Sequence, residues 1–346
     1  MDHKQRVWAA IRHQPSDRVP MGESWIDGSL ANKLMGTDYP LDYQHFERDL
    51  AIRKFLGMDF VNVGDWPQWP IGTDEKGRTI YRSNYGYDFI QSASRHIVRP
   101  ALEDIEDADQ YQKPDISKVD ASLVRRYAQE TDLFVFAQIC GPVSMLDEMF
   151  PFEDYMVYCI TNPEEIMAIS DKVIEYEIEK AKLFLDAGAD AIFMTDDIAF
   201  NTGLFLPPRL MEQLVYPYYE KMVRQIKAYK DVPVFAHSDG DLNSMLHKYV
   251  ELGFDGLQSL QPSANMDIAE IKRQYGDRLC LWGNIDLNHV MCYASPEEVK
   301  QTVRETIRAA SGGGGFILST CNCMIDSIPP ENVLAMVQAG REYTDA

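Results

Sequence analysis

One phrase recurs along the chain and limits the folds open to it. Leu56-Gly57-Met58-Asp59 leads into Phe60-Val61-Asn62-Val63, Ala187-Gly188-Ala189-Asp190 into Ala191-Ile192-Phe193-Met194, and Leu252-Gly253-Phe254-Asp255 into Gly256-Leu257-Gln258-Ser259. Each time an amphipathic stretch ends, a Gly supplies the left-handed helix cap, and a short apolar run begins within two residues. Helix–Gly–strand units in series build a parallel sheet with helices packed against it. Apolar runs bounded by turns predict eight strands, near residues 18–24, 58–63, 133–138, 190–195, 232–237, 254–259, 279–283 and 314–319. Helical patterns separate most of them, most clearly over 162–186, 207–229, 243–252, 295–310 and 330–343. Eight such units in 346 residues fit an α/β fold of the (β/α)8 TIM-barrel kind. A doubly wound open sheet is the alternative, because strand count alone does not prove closure.

The stretch 65–100 breaks the alternation. Gly72-Thr73-Asp74-Glu75-Lys76-Gly77 reads as a turn, and Arg78–Arg82 followed by Tyr87–Ile90 reads as antiparallel strands, so a β-hairpin insertion is expected after strand two. No linker divides the chain, which predicts a single domain over 1–346. Charge narrows the partners: 33 Lys+Arg against 54 Asp+Glu leave −21, which opposes binding to nucleic acid or to an anionic membrane surface. No run of about 18 apolar residues suggests a membrane span. Six Cys without a disulfide-like spacing, 16 Met and no apolar leader point to a reducing cytoplasm.

In a barrel of this kind the chemistry gathers where the strands end at their C-termini. Reading just past each predicted strand gives Glu23 and Trp25, then Asp65 and Trp66, Gln138 and Cys140, Asp196 and Asp197, His237 and Asp239, Gln258, Asn284 and Asp286, and the pair Cys321 and Cys323. His237 follows the buried run Val232–Ala236, where it is either a histidine satisfied by a nearby carbonyl or a metal ligand or acid/base group. Asp239 is either a second ligand or the cap of the helix that begins near Asn243. His237, one of Asp239 and Glu23, and one of Cys321 and Cys323 would make the three-ligand open set of a catalytic zinc; the alternative is a pair of idle thiols. Asp196 and Asp197, leaving a strand together, are candidates for proton transfer or for capping a loop, and Asn284 with Asp286 carries the same two readings. The run Gly312–Gly315 precedes the last strand and is followed by no Lys-Ser/Thr, so it is a flexible loop rather than a phosphate cradle. No GxGxxG follows a strand and no GxSxG is present, which removes support for dinucleotide and serine-hydrolase chemistry. Trp66, Trp69, Tyr81, Tyr85, Tyr87 and Phe89 crowd the insertion; those not used in packing suit an aromatic substrate or a quaternary ammonium.

Four phrases, Ala187–Ile192, Pro233–His237, Gly276-Asp277-Arg278 through Gly283-Asn284-Ile285-Asp286, and Pro329-Pro330-Glu331-Asn332-Val333, resemble the uroporphyrinogen decarboxylase superfamily along nearly the full length. True decarboxylases of that superfamily carry Arg-Gln-Ala-Gly-Arg near the N-terminus for the substrate's acetates. Here Val19–Trp25 holds no Arg, so the chain looks more like the branch of zinc-dependent methyltransferases that exchange methyl groups with a corrinoid protein. That branch often holds zinc with His-x-Cys after strand five and a Cys after strand eight. His237 matches the His, Asp239 stands where the first Cys would be, and the last Cys falls at Asn322 between Cys321 and Cys323. The resemblance therefore implies a corrinoid-protein partner, a small methylated substrate (a methoxy-aromatic, a betaine or methanol) and a zinc drawn from His237, Asp239, Cys321 and Cys323. Asp196, Asp197, Glu23 and Asn284 are the expected catalytic residues, and Trp25, Trp66, Gln258 and Asp286 the expected substrate contacts. Two other readings stand beside it: a cofactor-independent decarboxylase, and a non-catalytic partner of a corrinoid protein.

Overall fold

A computed structural model describes residues 1–91 and 95–342. Residues 92–94 of the expected insertion, residue 343 of the last expected helix and the final residues of the expected domain lie outside the described residues. The strands in chain order are β1 (Phe60–Gly64), β2 (Gln68–Thr73), β3 (Thr79–Ser83), β4 (Asp88–Gln91), β5 (Arg95–Arg99), β6 (Phe134–Cys140) and β7 (Ala191–Thr195). They continue with the short pair β8 (Ala199–Phe200) and β9 (Gly203–Leu204), then β10 (Val234–Ser238), β11 (Gly256–Ser259), β12 (Cys280–Ile285) and β13 (Phe316–Thr320). Seven of them form one parallel sheet in the order β1-β6-β7-β10-β11-β12-β13, consistent with a TIM-like barrel.

The recurrent phrase explains how this sheet is stitched. Gly57, Gly188 and Gly253 adopt φ of 58°, 110° and 84°, ending each helix in the left-handed region. The Asp two residues later then clips a neighbouring segment with two bonds. The amide of Asp190 donates to Val135 O at 2.9 Å while its carboxylate accepts from Val135 N at 2.9 Å. Asp255 does the same to Val234, at 2.9 and 2.7 Å. Asp59 does the same to Met21, at 2.8 and 2.9 Å.

Met21 lies in the one expected strand, 18–24, that is not a strand. It makes only an isolated parallel bridge to Leu318, with a second bridge from Ile26 to Met324. Pro20 O accepts from Leu318 N and Gly22 N donates to Leu318 O on one side, and Asp59 is held on the other. The segment therefore spans from β13 to the start of β1. Pro20 and Gly22, which weaken a regular ladder, reduce it to a few bonds. The insertion departs from a single hairpin as well: β2-β3-β4-β5 form a four-stranded antiparallel sheet. The expected helix over 207–229 is two helices, Pro208–Leu214 and Tyr216–Tyr229, broken where Pro217 withholds an amide.

Alternation along the parallel strands separates two cores. One lies among the helices and the outer faces of the strands. The other is a compact set of Phe60, Phe134, Phe136, Phe193, Phe235, Trp282 and Ile317, joined by Val7, Ala10 and Ile11 of the first helix, His3–Ile11. Trp282 sits at its centre, 4.7 Å from Phe60, 4.8 Å from Phe193 and 4.9 Å from Phe136 between ring centroids. Two residues further along the same strands the side chains turn polar: Asn62, Gln138, Thr195, His237 and Asn284. A period of two puts them on the same face as the aromatic layer, nearer the C-terminal ends. The aromatic plug closes the lower end, and the polar layer is its upper surface.

Candidate functional site

Above that polar layer opens a cavity of about 1270 Å³, lined by strand ends and by the loops around Trp25, Tyr43 and Trp66. Trp66 folds back over β1, where a Cβ on Gly64 would stand 2.3 Å from its ring, so only Gly admits the indole. Trp25, Tyr43 and Trp66 follow one another around the wall, with ring centroids 6.2 and 5.8 Å apart.

His237 is half-buried at this wall, between Asp197 and Gln258. Its Nδ1 is hydrogen-bonded to Gln258 Oε1, and the Gln258 amide nitrogen donates to Asn322 O at 3.5 Å, which fixes the amide's orientation. In the neutral imidazole Nδ1–H is then the donor and Nε2 keeps a free lone pair, directed toward Asp197 Oδ1 at 3.6 Å. Asp239 completes the group: its amide donates to Asp197 Oδ1 at 3.0 Å, and its own carboxylate accepts from Ser259 Oγ at 2.6 Å and from Asn322 Nδ2. Asp197, His237 and Asp239 each present a ligand atom within 4.8 Å of the others. A neutral imidazole and two carboxylates balance a divalent cation, so the donor set fits a metal with open positions.

The structure brings only part of the expected ligand set together. Cys321 is buried and Cys323 lines the cavity, but neither joins that group. Burial pushes both thiols up to about 12, so they hold their protons at neutral pH, and Cys323 Sγ donates to Asn322 Oδ1 at 2.9 Å. Asp197 takes the place that the sequence offered to a thiol. Asp239 does not cap the following helix, Leu246–Glu251, which begins after Asn243 and has no side-chain cap.

The other expected residues divide by what already holds them. Asp196 is fully enclosed, accepting from Ser144 N at 2.6 Å and Tyr219 OH at 2.7 Å. It thereby anchors the N-terminus of the helix Pro142–Met149, and burial lifts it to about 7 against those donors. Glu23 is 0 % exposed and accepts from Thr320 N and Oγ1, both at 2.8 Å; burial raises it to about 8. Asn284 is spent on Leu260 O at 3.0 Å, and Asp286 caps the turn Leu287–Met291 through His289 N at 2.6 Å. Trp25 and Trp66 line the cavity, while Gln258 acts beneath His237. Sequence reasoning passed over Asn62, Ser144 and Phe193, all lining residues; the alternation on β1 and β7 was the available signal for the first and last.

The family profile for uroporphyrinogen decarboxylase (URO-D) matches residues 85–343. The chain belongs to that family. Among curated relatives, the methylcobamide:CoM methyltransferase MtaA of Methanosarcina barkeri is 26 % identical over 98 % of both chains. The uroporphyrinogen decarboxylase of Trichodesmium erythraeum is 28 % identical over 55 % of this chain and 50 % of its own. A solved methyltransferase from Methanosarcina mazei shares the fold at a TM-score of 0.75, with 20 % identity over 99 % of each chain. Relatives of this chain thus bear the names of two activities, and fold alone does not choose between them.

Proposed function

We propose that this protein moves a methyl group between a methylated small molecule and a corrinoid carried by a partner protein. The observation that carries the reading is the Asp197–His237–Asp239 group at the wall of a cavity that no Lys or Arg lines among the described side chains. A polyanionic tetrapyrrole would need cationic contacts there. Further support is the full-length likeness to relatives named methylcobamide:CoM methyltransferases, against about half-length likeness to those named decarboxylases.

Asp197, His237 and Asp239 would hold zinc, with Gln258 setting the imidazole tautomer. Zinc bound there supplies Lewis acidity toward a substrate heteroatom. Glu23, Asn284 and Asp286 serve as walls behind the site. Leu41 and Tyr43 stand exposed at the rim, on the side a corrinoid domain would approach. The reading takes the chain as one (β/α)8 domain over 1–346, with the Met21 segment as the eighth stave.

Methyl donors incubated with a Co(I) corrinoid protein should give the methylcobalamin absorbance, and His237→Ala should lose both that signal and stoichiometric zinc by elemental analysis. The decarboxylase reading, which the family profile itself favours, predicts instead that uroporphyrinogen is converted to coproporphyrinogen. That conversion without methyl transfer would sink the proposal.

A further inference from the structure

The end of β11 departs from the alternation of its own strand. Neighbouring side chains on a regular strand point to opposite faces. Gln258 and Ser259 nevertheless both serve the Asp197–His237–Asp239 group: Gln258 Oε1 is bonded to His237 Nδ1, and Ser259 Oγ donates to Asp239 Oδ1 at 2.6 Å. The backbone supplies the reason. Ser259 and Leu260 have φ of 91° and 55°, and of the described non-glycine residues with positive φ only these two are adjacent. A residue with a Cβ enters that region at a cost, and the conformation persists where its surroundings over-determine it, as at functional sites.

Three features hold this turn. Asn284 Nδ2 donates to Leu260 O at 3.0 Å. Gly283 leaves it room, since a Cβ there would stand 2.5 Å from Ser259 O. Gln261 Oε1 accepts from Gly240 N at 3.0 Å, its amide oriented by donation to Ser263 Oγ at 2.9 Å. Gln258, Ser259 and Gln261 thus hold His237, Asp239 and Gly240 in that order, and the end of β11 sets the shape of the end of β10. Ser259 is 0 % exposed and does not line the cavity, so it acts on the site only through Asp239. With Asn322 Nδ2 on the other oxygen, the Asp239 carboxylate is fixed at both ends. The bond from a hydroxyl to a carboxylate is charge-assisted and strong for its kind.

Resting on the reading of Asp197, His237 and Asp239 as metal ligands, we infer that Ser259 is a positioning residue for Asp239, and that the left-handed turn Ser259–Leu260 is maintained to aim its hydroxyl at that carboxylate. Chelator-competition titration of the full chain with zinc alone, alongside thermal unfolding of the metal-free protein, tests this in Ser259→Gly and Ser259→Ala. Both variants lack the hydroxyl, so both should bind zinc about 10- to 100-fold more weakly than the wild type. They should differ in stability: Gly takes a positive φ freely and Ala does not, so Ser259→Gly should unfold at the higher temperature. Affinity then follows the hydroxyl while stability follows the backbone, a split that a merely structural role would not produce. If one variant fails to fold, the zinc affinity of the other decides. Wild-type affinity in the folded variants, or a loss of affinity confined to the less stable one, would overturn the inference while leaving the metal reading intact. A wild type that binds no zinc, or binds it unchanged in His237→Ala, would overturn the metal reading and the role of Ser259 with it.

Discussion

Gln258 decides what His237 can do. By accepting at Nδ1 it leaves Nε2 as the available donor atom, the usual arrangement behind a metal-bound imidazole. Gln258→Leu should therefore lower zinc affinity by about 10- to 100-fold in a chelator competition titration, with little change in thermal unfolding temperature relative to His237→Ala. Glu23 carries a different consequence. Burial raises its folded-state value to about 8, above the 4.5 of an ordinary exposed glutamate expected when unfolded. The folded chain then holds a proton that the unfolded chain releases, so stability is greatest at low pH and falls as pH rises from about 4.5 to about 8. Glu23→Gln keeps an acceptor for Thr320 N, puts an N–H donor where the carboxylate accepted from Thr320 Oγ1, and has no titrating group. Its unfolding temperature should lack that component of the pH slope, and the variant should gain on the wild type toward pH 8. Of these residue properties, the sequence showed that polar groups crowd the strand ends. It did not show which of them were already spent: Asp286 on its turn, Asn284 on a backbone carbonyl, and Asp196 on a helix N-terminus.

Among the elements, the helix–Gly–x–Asp–strand unit is the repeated joint. Its three Asp residues differ in surroundings. Asp190 holds Val135 and Lys4 at the edge of solvent, with Lys4 Nζ at 2.9 Å. Asp59 is wholly buried and holds Arg6 at 2.6 Å, Arg18 at 2.7 Å, His3 at 2.9 Å and the Met21 amide. Burial works against its charge, yet His3 and Arg18 keep its carboxyl below the ordinary range. Its contribution is thus present above the unfolded carboxylate range and is lost as pH falls through the lowered folded value. Asp59→Ala leaves Arg6 with Asp17 alone and strips Arg18, His3 and the Met21 amide of their shared carboxylate, and should cost about 3–5 kcal/mol in denaturant unfolding. Asp190→Ala should cost less, about 1–3 kcal/mol, because it mainly frees one amide and a partly exposed Lys. Equal losses in the two variants would contradict the reading of Asp59 as the central clip.

At the scale of the molecule, the first helix and the Met21 segment complete two things at once. Val7, Ala10 and Ile11 cover the aromatic plug, and residues 20–22 join β13 to the start of β1. Removing residues 1–27 should expose both sheet edges and the plug. A chain without them should show no cooperative thermal transition and should bind a hydrophobic dye, whereas a cooperative, dye-silent product would contradict that role. Among the described residues no helix is long and apolar enough to cross a membrane. Part of the acidic balance of −21 lies at the cavity, which Asp65, Asp120, Asp197 and Asp326 line.

The order of helices and strands, the parallel sheet and the face carrying the polar residues followed from the sequence, because period two, period 3.6 and a left-handed Gly cap are local properties of the backbone. The segment at 18–24 was correctly placed beside the sheet but read as a full strand, since local composition does not count the hydrogen bonds a neighbour will offer. The meeting of Asp239 with Asn322, 83 residues apart, and the choice of Asp197 over Cys323 beside His237 needed the tertiary structure. Which donor reaches which acceptor across a curved sheet depends on strand register and stagger, and no local pattern in the chain encodes either.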